Sequence, residues 1–176
     1  AGDALRMAIA TERSGGEFYT RPAGMTKPGR ARRVFEKLAT EEQHHFGRLE
    51  ARYRQLMAEN PALGSLPSFL FFKGAANGLF AEGTEALKKG VDERQALLIG
   101  IRCERGSHRF FKKYGERFEE SEGKRVFLEF ADEEREHLDL LIREYRALVA
   151  RTTGRPAGFS PRARQGRCGG RRGQSA

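Results

Sequence analysis

Tryptophan is absent from the 176 residues, and cysteine occurs twice, at Cys103 and Cys168. There is no CxxC, so neither a four-cysteine zinc site nor a rubredoxin-type iron site can be built within these residues. Long apolar runs are missing as well. The richest stretches, Phe69 to Phe72 and Ala96 to Ile99, fall far short of the roughly 18–20 residues that a membrane span needs. The first residues lack the basic-then-apolar pattern of a secretory signal. The expectation is a cytoplasmic protein with no membrane partner.

What is present suits a helical domain. Apolar residues make up 38% and charged residues 32%, and thirteen Phe can fill a core in place of Trp. The net charge of +9 belongs mostly to one end. Residues 151–176 hold seven of the 33 basic residues and none of the 24 acidic ones, which leaves 26 against 24 in residues 1–150. We therefore expect one folded domain over 1–150 and a disordered Arg/Gly-rich tail over 151–176. Phe159 is the only aromatic residue of that tail, and no nucleic-acid-binding motif accompanies it. The composition thus weighs against a nucleic-acid partner.

Helical periodicity runs through nearly the whole domain, and no stretch reads as strand. A first helix is expected over about Asp3 to Tyr19, capped by Asp3. A loop over 20–30 follows, punctuated by Pro22, Gly24, Pro28 and Gly29. A second helix runs from about Ala31 to the Asn60-Pro61 stop. Residues 61–73 form a connection that Phe69 to Phe72 should pack onto the rest. A shorter helix spans Ala75 to Lys89 and ends at Gly90. Two more helices are expected over about Asp92 to Tyr114 and Lys124 to Arg151, with a turn between them.

The sequence repeats itself without a gap at a shift of 92 residues. Leu5 and Ile9 meet Leu97 and Ile101. Val34 and Phe35 meet Val126 and Phe127, and Tyr53 meets Tyr145. Each half is one helical hairpin, and two hairpins can bury their apolar faces against each other as a pseudo-twofold all-α four-helix bundle.

Polar residues that repeat on the buried faces are the informative ones. Glu12 meets Glu104, Glu42 meets Glu134, and His45 meets His137. Within each half the Glu and His of the second helix lie at i, i+3, so they share a face. That face is otherwise marked by Leu38 and Leu49 in one half and by Phe130 and Leu141 in the other. A carboxylate among such neighbours is costly unless it is paired or binds metal. Four carboxylates balance two divalent cations, and one imidazole per ion in an oxygen-rich set suits iron or manganese better than structural zinc. Helix-bundle di-iron carboxylate proteins use one Glu from each of two helices and Glu-x-x-His from each of the other two. Those residues occur here in chain order. His108 lies four residues after Glu104 and is a candidate second-shell donor or extra ligand, or else simply lines the bundle. Gly15 and Gly16, beside Glu12, suggest close helix approach or room for a small oxidant. His44 should face solvent.

The segments TERSGGEFY (11–19), LATEEQHHF (38–46), CERGSHRFF (103–111) and FADEEREHL (130–138) resemble the rubrerythrin branch of the ferritin-like superfamily. The resemblance covers about residues 3–150. It implies that Glu42 and Glu134 bridge two iron ions and that Glu12 and Glu104 are terminal ligands. His45 would share a metal with Glu12, and His137 with Glu104. Tyr19 matches a tyrosine close to the metals in many relatives, and its repeat partner is Phe111. Rubrerythrins proper carry a rubredoxin domain, which these residues lack. They also carry a further carboxylate three residues after the third-helix Glu, where this sequence has Ser107.

The implied activity is reduction of hydrogen peroxide or dioxygen. The electrons would come from an external donor, either rubredoxin-like or a flavoprotein reductase. Two other readings use the same ligands: iron storage or delivery with ferroxidase activity, and a dimanganese catalase. A homodimer is expected from the resemblance and from the Phe69 to Phe72 stretch.

Overall fold

The computed structural model describes residues 2–27, 29–62 and 73–153. Among them are five α-helices and no strand: α1 (Gly2–Met25), α2 (Arg30–Glu59), α3 (Lys73–Leu87), α4 (Glu93–Gly115) and α5 (Glu122–Thr153). Helix α1 lies along α2 and α4 along α5, while α3 packs on α1 and α4. This is an all-α, ferritin-like bundle of two hairpins with an extra helix between them. No helix among the described residues is long and apolar enough to cross a membrane.

The first hairpin departs from its expected outline. Helix α1 does not stop at Tyr19 but continues through Pro22 to Met25. Proline inside a helix costs about 3 kcal/mol, through a missing N–H and a clash with the preceding turn. Burial and local bonding offset it here. Pro22, Ala23 and Thr26 are all buried. The Pro22 carbonyl accepts from the Thr26 amide at 2.9 Å and from its hydroxyl at 2.7 Å. Asp3 does not cap α1. It lies within the first turn, where its charge favours the helix N-terminus, and pairs with Arg6 at 3.4 Å.

The second hairpin starts with a complete capping box. The Asp92 side chain accepts from the Gln95 amide at 2.7 Å, and the Gln95 side chain accepts from the Asp92 amide at 3.2 Å. Gly90, at φ 73°, follows α3 in the left-handed conformation that suits glycine. The tail beyond residue 153, Cys168 and the Phe69 to Phe72 stretch lie outside the described residues.

The core forms two apolar layers. One gathers Leu5, Ala8, Leu49, Phe111, Val126, Phe127, Phe130 and Ala131. The other gathers Phe18, Tyr19, Phe35, Leu38, Leu97, Ile101, Cys103 and Leu141. Between them, each of the four long helices places one buried carboxylate; a further one on α5, Glu144, pairs instead with Arg30 and Arg151. Glu12 lies between Ala8 and Phe18, Glu42 between Leu38 and Leu49, Glu104 between Ile101 and Phe111, and Glu134 between Ala131 and Leu141. The apolar stripes of the helices thus position an acidic layer inside the bundle. Outside it, Arg48 on α2 reaches Glu133 on α5 at 3.0 Å, and Arg52 reaches Glu129 at 3.3 Å.

Candidate metal centre

All four carboxylates are essentially inaccessible: Glu42 and Glu104 are 0% exposed, Glu12 1% and Glu134 2%. His137 is buried and His45 nearly so. The donor atoms converge in two groups, each with every atom within 4.8 Å of the others. One group is Glu42, Glu104, Glu134 and His137, and the other is Glu12, Glu42 and His45. Glu42 belongs to both. Glu134 belongs to the first alone. The two imidazoles stack face to face, with ring centroids 5.5 Å apart and planes 5° apart.

These atoms lack the partners that buried polar groups normally have. Both oxygens of Glu42, Oε1 of Glu12, Oε2 of Glu104 and Glu134, and Nδ1 of His137 make no hydrogen bond. His137 Nδ1 approaches Glu42 Oε1 to 3.0 Å, but off the line of a hydrogen bond. Each such orphan costs about 1–3 kcal/mol. A set of inward-facing carboxylates and imidazole nitrogens without donors fits metal ions, which take lone pairs and supply positive charge.

Electrostatics give the same picture. Burial pushes the carboxyls of Glu12, Glu42 and Glu104 well above their ordinary range. The charge of Glu134 adds to the rise in Glu12 and Glu104, and Glu12 does the same to Glu42. Burial pulls His137 down, but the adjoining Glu42 carboxylate outweighs it and leaves its pKa raised. Without cations, four negative charges cannot coexist in this layer.

The surroundings divide unequally. The Tyr19 hydroxyl donates to Glu104 Oε1, and burial followed by the Glu104 charge pushes that hydroxyl well above its usual pKa, so it keeps its proton. Ser107, where the sequence departs from the resemblance, donates its hydroxyl to Glu134 Oε1 at 2.6 Å. Gly15 permits the close approach of α1 to α2: a Cβ there would sit 2.7 Å from Glu42 Oε2. His108 joins neither group, since its Nδ1 is bonded to the Ala131 carbonyl at 2.7 Å. His44 is exposed.

Two carboxylates that the sequence reading passes over also face the site. Glu133 Oε2 lies 3.6 Å from His45 Nε2, and Glu41 Oε2 lies 3.6 Å from His137 Nε2. Each comes from the opposite hairpin. Their other oxygens pair with Arg48 and Lys37 respectively. At 3.6 Å neither contact with the imidazoles is a hydrogen bond, and both Oε2 atoms lack a partner, so each carboxylate sets negative charge beside an imidazole. The available signal was their own repetition at a shift of 92 residues.

A family model described as Rubrerythrin matches residues 3–72 and 95–155. The chain belongs to the rubrerythrin family. The two matched segments cover nearly all of the two hairpins and leave out α3 entirely. Rubrerythrin membership and the buried carboxylate–histidine cluster together point to a di-iron protein. No curated protein and no solved structure matches the chain.

Proposed function

We propose that Glu12, Glu42, His45, Glu104, Glu134 and His137 hold two iron ions, and that the centre reduces hydrogen peroxide, or dioxygen, with electrons from a separate donor. The observation that carries this reading is the buried layer of four carboxylates with unpartnered oxygens in a rubrerythrin-family bundle. Glu42 stands within reach of both ions, and each histidine presents Nδ1 to its own group. The ions, when bound, supply a two-electron reductant held in one place. The protein's part is to exclude water with the two apolar layers, set the charges of Glu41 and Glu133 beside the imidazoles, and hold a proton on the Tyr19 oxygen next to Glu104.

The electron source lies outside these 176 residues, because two cysteines without a CxxC cannot build an iron relay. A rubredoxin-like protein or a flavoprotein reductase has the right chemistry. We also propose a homodimer, for which size-exclusion would give about 40 kDa, twice the chain mass of 19.8 kDa; a closed shell of many copies would favour iron storage instead.

The test is anaerobic mixing of ferrous-loaded protein with hydrogen peroxide. Peroxide takes two electrons and two protons to give two waters, so one peroxide should oxidise both irons of a chain within seconds. Ferrous protein that stays reduced under peroxide would refute the proposal. Metal analysis of protein isolated from its source decides between iron and manganese.

A further inference from the structure

The repeat makes the two halves of the ligand set alike, but their neighbours differ. Ser107 donates a hydrogen bond to Glu134, whereas its counterpart against Glu42 is Gly15, which has no side chain. Tyr19 donates to Glu104, whereas the residue at the matching place in the second half is Phe111, which has no donor for Glu12. Both neutral donors therefore fix carboxylates of the four-member group. Both imidazoles are nearly enclosed, with side-chain exposures of 7% for His137 and 12% for His45, and both line a cavity of about 200 Å³ between α2 and α5. The three-member group has none of this support. Its Glu12 lines a cavity of about 320 Å³ between α1 and α2, with Arg13, Gly16, Glu17, Thr20 and Phe46 around it, and neither Glu104 nor Glu134 lines that cavity.

Resting on the metal-centre reading above, we infer that the two ion positions are unequal. The Glu104–Glu134–His137 position takes the first ion and keeps it. The Glu12–His45 position takes the second and exchanges it through the groove between α1 and α2. Pre-set carboxylates bind a cation without losing further freedom, and removing such outer hydrogen bonds weakens metal binding by about 10–100-fold. Gly16 keeps the groove open. A Cβ there would meet nothing closer than Glu42 Cβ at 3.6 Å, an ordinary contact, and the groove of about 320 Å³ lies beside it, so a side chain at 16 has space to extend into that groove.

The experiment is titration of the full chain with Co²⁺, followed by calorimetry and visible absorption, with release measured after adding a chelator. We expect two steps that differ by about tenfold or more in affinity. His45→Ala should remove the weaker step alone. Ser107→Ala should weaken the tighter step about tenfold and spare the other. Gly16→Leu should leave both affinities in place and slow release of the weaker ion only. Circular dichroism reports whether each variant is folded, and the wild-type titration stands without them. Two ions bound in one indistinguishable step, or loss of the tighter step in His45→Ala, would overturn the inference while leaving the metal centre intact. Failure of the wild-type chain to take up Co²⁺ would overturn both.

Discussion

Gly15→Ala and Gly16→Ala form a controlled pair, because the residues are adjacent in α1 and gain the same methyl group. Replacing Gly by Ala inside a helix stabilises it by about 1 kcal/mol. At Gly16 nothing opposes that gain, since the nearest atom to a new Cβ is 3.6 Å away. At Gly15 the new Cβ lies 2.7 Å from Glu42 Oε2 and 2.9 Å from its Cδ, and Glu42 is fully buried. Relieving that overlap costs about 1–3 kcal/mol, so the helix gain is cancelled or exceeded. Differential scanning should show Gly16→Ala melting about 2–4 °C higher than wild type, and Gly15→Ala unchanged or lower. The larger effect is on metal. Glu42 is the carboxylate common to both donor groups, so moving it should take Gly15→Ala from two ions per chain to one or fewer, while Gly16→Ala keeps two. If Gly15→Ala binds two ions with wild-type affinity, the claim that the missing side chain at 15 places Glu42 is wrong.

Other outcomes follow from the same structure. Glu42→Leu places an apolar side chain of similar size in the stripe of Phe35, Leu38 and Leu49, so the metal-free variant should gain about 1–3 kcal/mol in urea unfolding and lose its metal; a less stable metal-free variant would contradict the cost assigned to the buried carboxylate. The folded-state pKa values of Glu12, Glu42 and Glu104 are raised above 4.5, chiefly by burial, so the stability they contribute is complete below 4.5 and is lost as pH rises through the raised values. Metal-free protein should therefore melt lower at about pH 8 than at about pH 5, and bound metal should abolish that slope. Cys103, whose thiol burial pushes up to about 12, should resist alkylation in the native protein and react in urea, as read by peptide mass. Asp92→Ala removes the side-chain half of the capping box and should cost about 1 kcal/mol without altering metal stoichiometry.

The hairpins and the six inward residues were legible because a buried helix face tolerates few polar residues. Glu42 between Leu38 and Leu49 conflicts with its surroundings, and the conflict recurs at Glu134. Other features depend on contacts that spacing does not encode. The path of α1 through Pro22 rests on burial of that turn and on Thr26 bonding back to Pro22. Glu41 and Glu133 repeat at the same shift of 92 residues, but their spacing alone assigns them no place. They gain meaning only when α2 and α5 come together and each meets the histidine of the other hairpin.

The differences between the two halves carry as much information as the likenesses. A repeat of ligands alone would describe two equal ions in a symmetric cage. The substitutions at equivalent places, Gly15 for Ser107 and Tyr19 for Phe111, break that symmetry in one direction: both donors support Glu104 and Glu134, and neither supports Glu12 or Glu42. Ser107, the departure from the rubrerythrin pattern noted in the sequence, supplies a hydroxyl that restrains Glu134. A serine cannot swing in as a charged ligand, so the buried layer keeps four carboxylates, whose charge two divalent ions would cancel. Any change in the charge of bound ions would then be met by protons or by ligands from solvent, not by a fifth carboxylate at this position. The groove beside Glu12 is where solvent reaches the acidic layer, whereas the Tyr19 hydroxyl beside Glu104 keeps its proton and restrains that carboxylate, on the opposite side of the asymmetry.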